Sequence, residues 1–303
     1  MSVLLLDAKA PTPIPYVGVG RLFPAPASTP SVMASLSYAA ASTNRAVCHM
    51  YTLPDGRAPE DCEFEECHTK ITDMRYAEVP PVIEREGFAL WDAPSTVKDF
   101  ADHSAIERIY YGEMAELALL ATGANQAIVF DHVIRKRESG RPALGLGRHG
   151  DGSRPGANGR VHNDYSEHSG QRRLGLVMEK LGRRLPAQRY AIVNIWRSIG
   201  GPIMDTPLAL CDGRTVSTLD LISTELRFPD RVGEIYLLRH SPAHRWFYYS
   251  FMDRHEALVF KQFDSQINMV TRLTPHAAFD LPRIPDEAPL RHSLEVRCLV
   301  LYT

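Results

Sequence analysis

From residue 126 to the C-terminus the chain is a succession of short β-rich segments separated by turn residues, and this pattern most constrains its fold. The segments are 126–137, 161–165, 190–198, 234–239, 246–252, 257–263, 275–279 and 293–302. One helical segment, 171–184, interrupts them. A doubly wound sheet would need a helix between most strands, so alternating βαβ units are excluded. The expected class is mainly β with flanking helices, a sandwich or jelly roll. The clearest helix is 104–122, where Ile106, Ile109, Tyr110, Met114, Leu117, Ala118 and Ala121 recur at helical spacing. Ser104, with Glu107 three residues on, can open it, and Gly123 can close it.

A chain of 303 residues can bury a full core. No Gly/Ser linker or internal repeat divides it. Residues 1–45 are rich in Pro, Ala, Ser and Thr, with six prolines by Pro30. This predicts an extended arm over 1–31 ahead of one domain over 32–303. The arm can cover an edge strand or a partner subunit in a homodimer. A formal net charge of −2 offers no basic field for nucleic acid or an anionic membrane. Apolar runs such as 117–121 fall far short of the ~20 residues that span a bilayer. The N-terminus carries Asp7 and Lys9 and does not read as a signal peptide. The five cysteines are an odd number and lack C-x-x-C spacing. Cys62 and Cys67, with His68 beside them, lack the second pair a zinc site would need. Free thiols in a reducing cytosol follow, and the chain is expected to be cytoplasmic.

Residues 138–160 contain seven glycines and read as a mobile lid or a disordered loop. Within them, 145–150 formally match G-x-G-x-x-G. A further Gly/Pro-rich run follows instead of a helix, so no helix N-terminus awaits a pyrophosphate.

Directly after this stretch comes Val161-His162-Asn163-Asp164-Tyr165. On a strand, His162 and Asp164 share a face, where an imidazole and a carboxylate can bind one metal ion. His255 and His276 sit in suitable β context for a third ligand. Two His and one carboxylate on one face of Fe(II) leave positions open for substrate and dioxygen. H-x-D alone is common, and a surface turn or a core histidine explains these residues equally simply. Further on, Arg291, Ser293, Glu295 and Arg297 share one face of the last strand. Two inward arginines need anionic partners, which either Glu295 or a dicarboxylate cosubstrate supplies. Arg135, Lys136, Arg137, Arg141, Arg148, Arg154, Arg160, Arg172 and Arg173 form a basic cluster, either a solvated face or a steering field.

H-x-D, a distant His, and an Arg 10–20 residues later resemble the 2-oxoglutarate-dependent Fe(II) oxygenases. Residues 161–166, 194–197, 201–203, 207–212, 260–265, 275–279 and 293–297, with Asp73-Met74-Arg75 and Gly87-Phe88, look like the AsaB-like hydroxylase/desaturase group, near gibberellin desaturases and CmcJ-like enzymes. The similarity runs from about residue 33 to the C-terminus. It implies a double-stranded β-helix (jelly-roll or cupin-like) and an Fe(II)/2-oxoglutarate-dependent dioxygenase of secondary metabolism. The group's members differ in substrate scaffold, so no one substrate is implied. Iron would bind His162, Asp164 and His276. The far carboxylate of 2-oxoglutarate would sit on Arg291 and Ser293. Arg297 would meet its other end or the metal ligands, and Asn194 one of its carboxylates. Tyr165, Trp196 and Arg197 would face a small-molecule substrate, although Arg197 can instead pair with Asp212. With O2, the expected outcomes are hydroxylation, desaturation or ring closure. The competing readings are a non-catalytic β-helix binding protein and a zinc-dependent hydrolase.

Overall fold

Strand Tyr190–Ser198 is buried along nearly its whole length on both faces, which only a central strand between two layers achieves. The computed structural model describes residues 3–7, 30–56, 58–148, 155–184 and 188–302, and in it two sheets face each other. The first has six strands, all antiparallel, in the order Leu4–Asp7, Gln126–Lys136, His292–Leu301, Tyr190–Ser198, Glu256–Asp264, Phe88–Asp92. The second has nine, and His276–Ala278 lies between Leu208–Cys211 and His162–Asn163. The expected jelly roll of mainly β structure with flanking helices is what the chain forms.

Side-chain alternation divides the layers. Ala191, Val193 and Ile195, with Leu294, Val296 and Val300, face the helical layer of Ile106, Tyr110 and Met114. Trp196, Phe88, Leu90 and Phe260 face the second sheet and meet Leu208 and Leu210. A bulge between Arg297 and Cys298 shifts the last strand's register against Gln126–Lys136.

The helix expected at 104–122 begins one residue earlier. The Asp102 carboxylate, not Ser104, caps it by accepting from the Ser104 and Ala105 N–H groups. A π-turn at Ile106–Tyr110 leads into Tyr111–Thr122, and Gly123 closes the helix at φ +67°. The second helix is Glu167–Lys180 rather than 171–184, because the capping box of Ser166 and Ser169 starts it four residues earlier. Its Gly170 lies against Phe263, where a Cβ would stand 2.6 Å from the ring. Gly170→Val is expected to cost about 1–3 kcal/mol through overpacking. A thermal melt with an unchanged midpoint would show that this helix is not seated on the ring.

The glycine stretch is not structureless where it is described. Leu146–Arg148 pairs with Pro155–Asn158 as a two-stranded hairpin; 149–154 lie outside the described residues. Of the arm, Leu4–Asp7 pairs with Gln126–Val129 and covers the edge of the six-stranded sheet; 8–29 lie outside the described residues. The strand Ser31–Ala39, read within the Pro/Ala/Ser-rich run, belongs to the nine-stranded sheet.

Candidate metal centre and cosubstrate pocket

Strand pairing brings His162 and His276 together. They are directly opposed residues of neighbouring strands, with ring centroids 4.3 Å apart. Asp164 follows just beyond the short strand His162–Asn163. One ligand atom from each of His162, Asp164 and His276 lies within 4.8 Å of the others. Both rings are oriented from behind. The His162 Nδ1 is 2.7 Å from the Arg160 carbonyl and the His276 Nδ1 is 3.2 Å from that of Thr274. A carbonyl only accepts, so in each ring Nδ1 carries the proton and the lone pair lies on Nε2. Burial pushes the His276 imidazolium down to about 3, and His162 beside it acts in the same direction. His276 is therefore neutral at physiological pH, the form a metal needs.

Asp164 is held on one side only. Its Oδ2 accepts from Asn194 Nδ2 at 2.8 Å and from Arg297 Nε at 3.3 Å. Its Oδ1 faces His162 Nε2 at 3.4 Å. Burial alone would raise this carboxyl, but the Arg297 guanidinium beside it outweighs that and holds it well below the usual carboxylate range. Arg297 also pairs with Asp131 at 3.0 Å and Glu295 at 3.1 Å. Its charge is answered by three carboxylates.

Arg291 differs. It is 3 % exposed, its Nε meets Ser293 Oγ at 3.2 Å, and its Nη1 donates to the Thr206 carbonyl at 3.2 Å. The guanidinium lies 5.0 Å from the Trp196 ring centroid. Among the described residues no carboxylate lies within ion-pair distance of it. Burial pushes its pKa down to about 9, and Arg135 adds to the shift. A buried cation with only neutral partners is costly unless an anion joins it. Arg291 shares a narrow pocket with His162, Asp164, His276, Arg135 and Glu295. Asn194 Oδ1 and Trp196 Nε1 are buried without a hydrogen-bond partner. The donor set of two imidazoles and one carboxylate fits Fe(II), and the unanswered guanidinium beside it fits the far carboxylate of a dicarboxylate.

This pocket opens on a cavity of about 680 Å³ that Tyr165 and Arg297 also line. Arg197 is not there. It lies on the opposite face of its strand from Trp196, where it donates to Tyr110 Oη, the Ala93 carbonyl and the Arg254 carbonyl. These contacts answer its donors, so it has no route to a substrate. Asp212 instead pairs with Arg214 and Arg245. His255 is exposed and lies outside the centre.

The basic cluster is not one solvated face. Arg137 is buried and pairs with Asp280, and Arg160 pairs with Glu60. Arg135 enters the narrow pocket, and its Nη1 donates to the Gly156 carbonyl at 3.1 Å. Gly147, at φ +74°, leaves room for it, since a Cβ there would stand 2.6 Å from the guanidinium. Asn158 of the same hairpin places its amide nitrogen 3.2 Å from His162 Nε2. Sequence reasoning missed Arg135 and Asn158 as pocket residues. For Arg135 a signal existed, because Asp131, Val133 and Arg135 alternate along one strand and all line the cavity.

Comparison with known proteins adds what geometry does not. A family profile described as an oxidoreductase/YMDC permease-like domain matches residues 36–301. The hydroxylase/desaturase CTB9 of Cercospora beticola is 32% identical over 260 residues, 79% of this chain and 78% of CTB9. The hydroxylase/desaturase asaB of Aspergillus flavus is 40% identical over 129 residues, 38% of this chain and 56% of asaB. The Fe(II)/2-oxoglutarate-dependent dioxygenase nvfI of Aspergillus novofumigatus is 31% identical over 201 residues, 66% of this chain and 68% of nvfI. A solved structure of the iron and alpha-ketoglutarate-dependent endoperoxidase NvfI superposes with a TM-score of 0.74, covering 90% of this chain and 98% of that one at 23% identity. That superposition speaks for the double-stranded β-helix fold.

Proposed function

Because the chain belongs to the hydroxylase/desaturase family of Fe(II)/2-oxoglutarate-dependent oxygenases, we propose that His162, Asp164 and His276 are its metal ligands and that Arg291 with Ser293 holds its cosubstrate. The enzyme is an oxidoreductase that uses Fe(II), 2-oxoglutarate and O2 on a small molecule of secondary metabolism. One observation carries the site assignment: three ligand atoms converge beside a buried arginine that lacks a carboxylate partner among the described residues. Residues 32–303 form the catalytic domain in this reading. Five cysteines without a disulfide among the described residues favour a reducing, cytoplasmic setting. Among the described residues no helix is long and apolar enough to cross a membrane.

When bound, iron with 2-oxoglutarate and O2 supplies oxidation of a substrate C–H bond, with release of succinate and CO2. The protein's residues prepare that chemistry. The Arg160 and Thr274 carbonyls fix both imidazoles in the Nδ1–H tautomer. Asn194 and Arg297 hold Asp164 Oδ2, which leaves Oδ1 turned toward the histidines. Arg291 supplies charge and Ser293 a hydroxyl at the far carboxylate, and Trp196 packs against that guanidinium. Tyr165 lines the substrate side.

The decisive test is succinate formation by protein reconstituted with Fe(II), measured against a panel of candidate small-molecule substrates. Substrate-stimulated succinate is expected. A non-catalytic binder or a zinc hydrolase would give none, and metal analysis of protein purified without added iron separates those two.

A further inference from the structure

Two chemically different walls bound the 680 Å³ cavity. Leu226 and Ile235, from the strand pair beyond His162, with Phe228 of the connection between them, give an apolar surface. Ser169, Arg172 and Arg173, one face of the Glu167–Lys180 helix at i, i+3 and i+4, give a polar, cationic one. Most charges at this cavity are already answered within the protein. Arg297 meets Asp131 and Asp164, Glu234 accepts from the Ser166 hydroxyl, Arg231 meets Asp230, and Arg172 donates to the Val232 carbonyl.

Among the described residues neither Arg135 nor Arg173 has a carboxylate within ion-pair distance, but Arg135 donates to the Gly156 carbonyl, whereas the Arg173 Nε is buried without a partner. The Arg173 guanidinium lies over the Phe130 ring, 5.0 Å from the guanidinium carbon to the centroid. That contact orients the planar group but accepts no N–H in its plane. A buried donor without an acceptor is costly, so an acceptor from outside the chain is favoured there. The cosubstrate does not supply it. 2-Oxoglutarate belongs to the narrow pocket that holds Arg291 and the metal ligands, and Arg173 does not line that pocket.

We infer that the substrate is an acid, an apolar small molecule bearing a carboxylate that binds Arg173 while its skeleton lies on Phe228, Leu226 and Ile235. The inference deepens the oxygenase reading and rests on it for the location of the site. A planar guanidinium takes a carboxylate through two parallel hydrogen bonds and so fixes both position and orientation. Anchoring the acid end on the helix selects which carbon of the skeleton reaches the metal side of the cavity.

The test uses pyrenebutyrate and its methyl ester as probes, with fluorescence titration of protein loaded anaerobically with Mn(II) and 2-oxoglutarate. The acid is expected to bind about tenfold more tightly than the ester. Arg173→Gln should erase that preference and leave ester affinity within about twofold, and Arg173→Lys should restore part of it. Equal affinities for acid and ester in the native protein overturn the inference. So does a preference that survives Arg173→Gln, or displacement of the acid by excess 2-oxoglutarate. A second arm follows the charge-transfer band of Fe(II) and 2-oxoglutarate without oxygen. No band with a retained acid preference overturns the oxygenase reading and keeps the acid site. A normal band without the preference overturns the acid site alone.

Discussion

Alanine at His162, Asp164 or His276 is expected to abolish 2-oxoglutarate turnover while the protein remains folded. Changes to groups behind metal ligands already cost ~10–100-fold, so loss of a ligand should leave less than about one hundredth of the rate. The three ligand atoms converge within 4.8 Å, and each side chain has its own support, so removing one leaves the other two in place but too few. Circular dichroism and thermal melting separate this outcome from unfolding, and the metal content of the purified variants reports ligation directly. His255→Ala is the control, since His255 is exposed and outside the centre. Full activity in His276→Ala, with loss in His255→Ala, would sink the assignment.

Arg291→Ala and Arg297→Ala should fail in different ways. Arg291 has no carboxylate partner among the described residues, so its charge is reserved for a ligand. Its loss should raise the 2-oxoglutarate requirement on the order of tenfold or more, equivalent to roughly 1.5–3 kcal/mol. Lysine should rescue only part, because it lacks the two-pronged geometry. Arg297 is engaged by Asp131, Asp164 and Glu295. Removing it takes the guanidinium from Asp131 and Glu295 and leaves Asp164 Oδ2 with Asn194. Breaking a buried pair costs about 3–5 kcal/mol, and the lower end applies because Arg297 is 19% exposed. Arg297→Ala should therefore lower the melting temperature and metal affinity, with a smaller change in apparent cosubstrate affinity once loaded. Titration of 2-oxoglutarate against both variants decides it. A larger affinity loss in Arg297→Ala reverses the two roles.

Much of this site is legible in the sequence because strand alternation is strict. His162 and Asp164 lie two apart and Arg291, Ser293, Glu295 and Arg297 alternate, so each set falls on one face once a strand is assumed. Alternation names two faces but not which of them looks inward. Trp196 and Arg197 are adjacent, and only the packed structure shows that Arg197 serves the helical layer through Tyr110. Arg135 alternates with Asp131 and Val133, but its entry into the pocket depends on a hairpin whose Gly147 yields space to the guanidinium, and the same hairpin places Asn158 without a local signature. The start of the Glu167–Lys180 helix was readable in principle, since Ser166 and Ser169 already stand at capping spacing.

The direct pairing of His276 with His162 carries a consequence for how the chain folds. The two strands are distant along the sequence and meet only when the nine-stranded sheet has taken its final register. A metal ion therefore finds only His162 and Asp164 together in a half-formed chain, and the full set of three ligands exists only once the sheet has closed. The ion acts afterwards, as a latch that stabilises the closed sheet by mass action. A slip of one residue in either strand would turn its histidine to the opposite face, so the same latch also penalises misregistered forms.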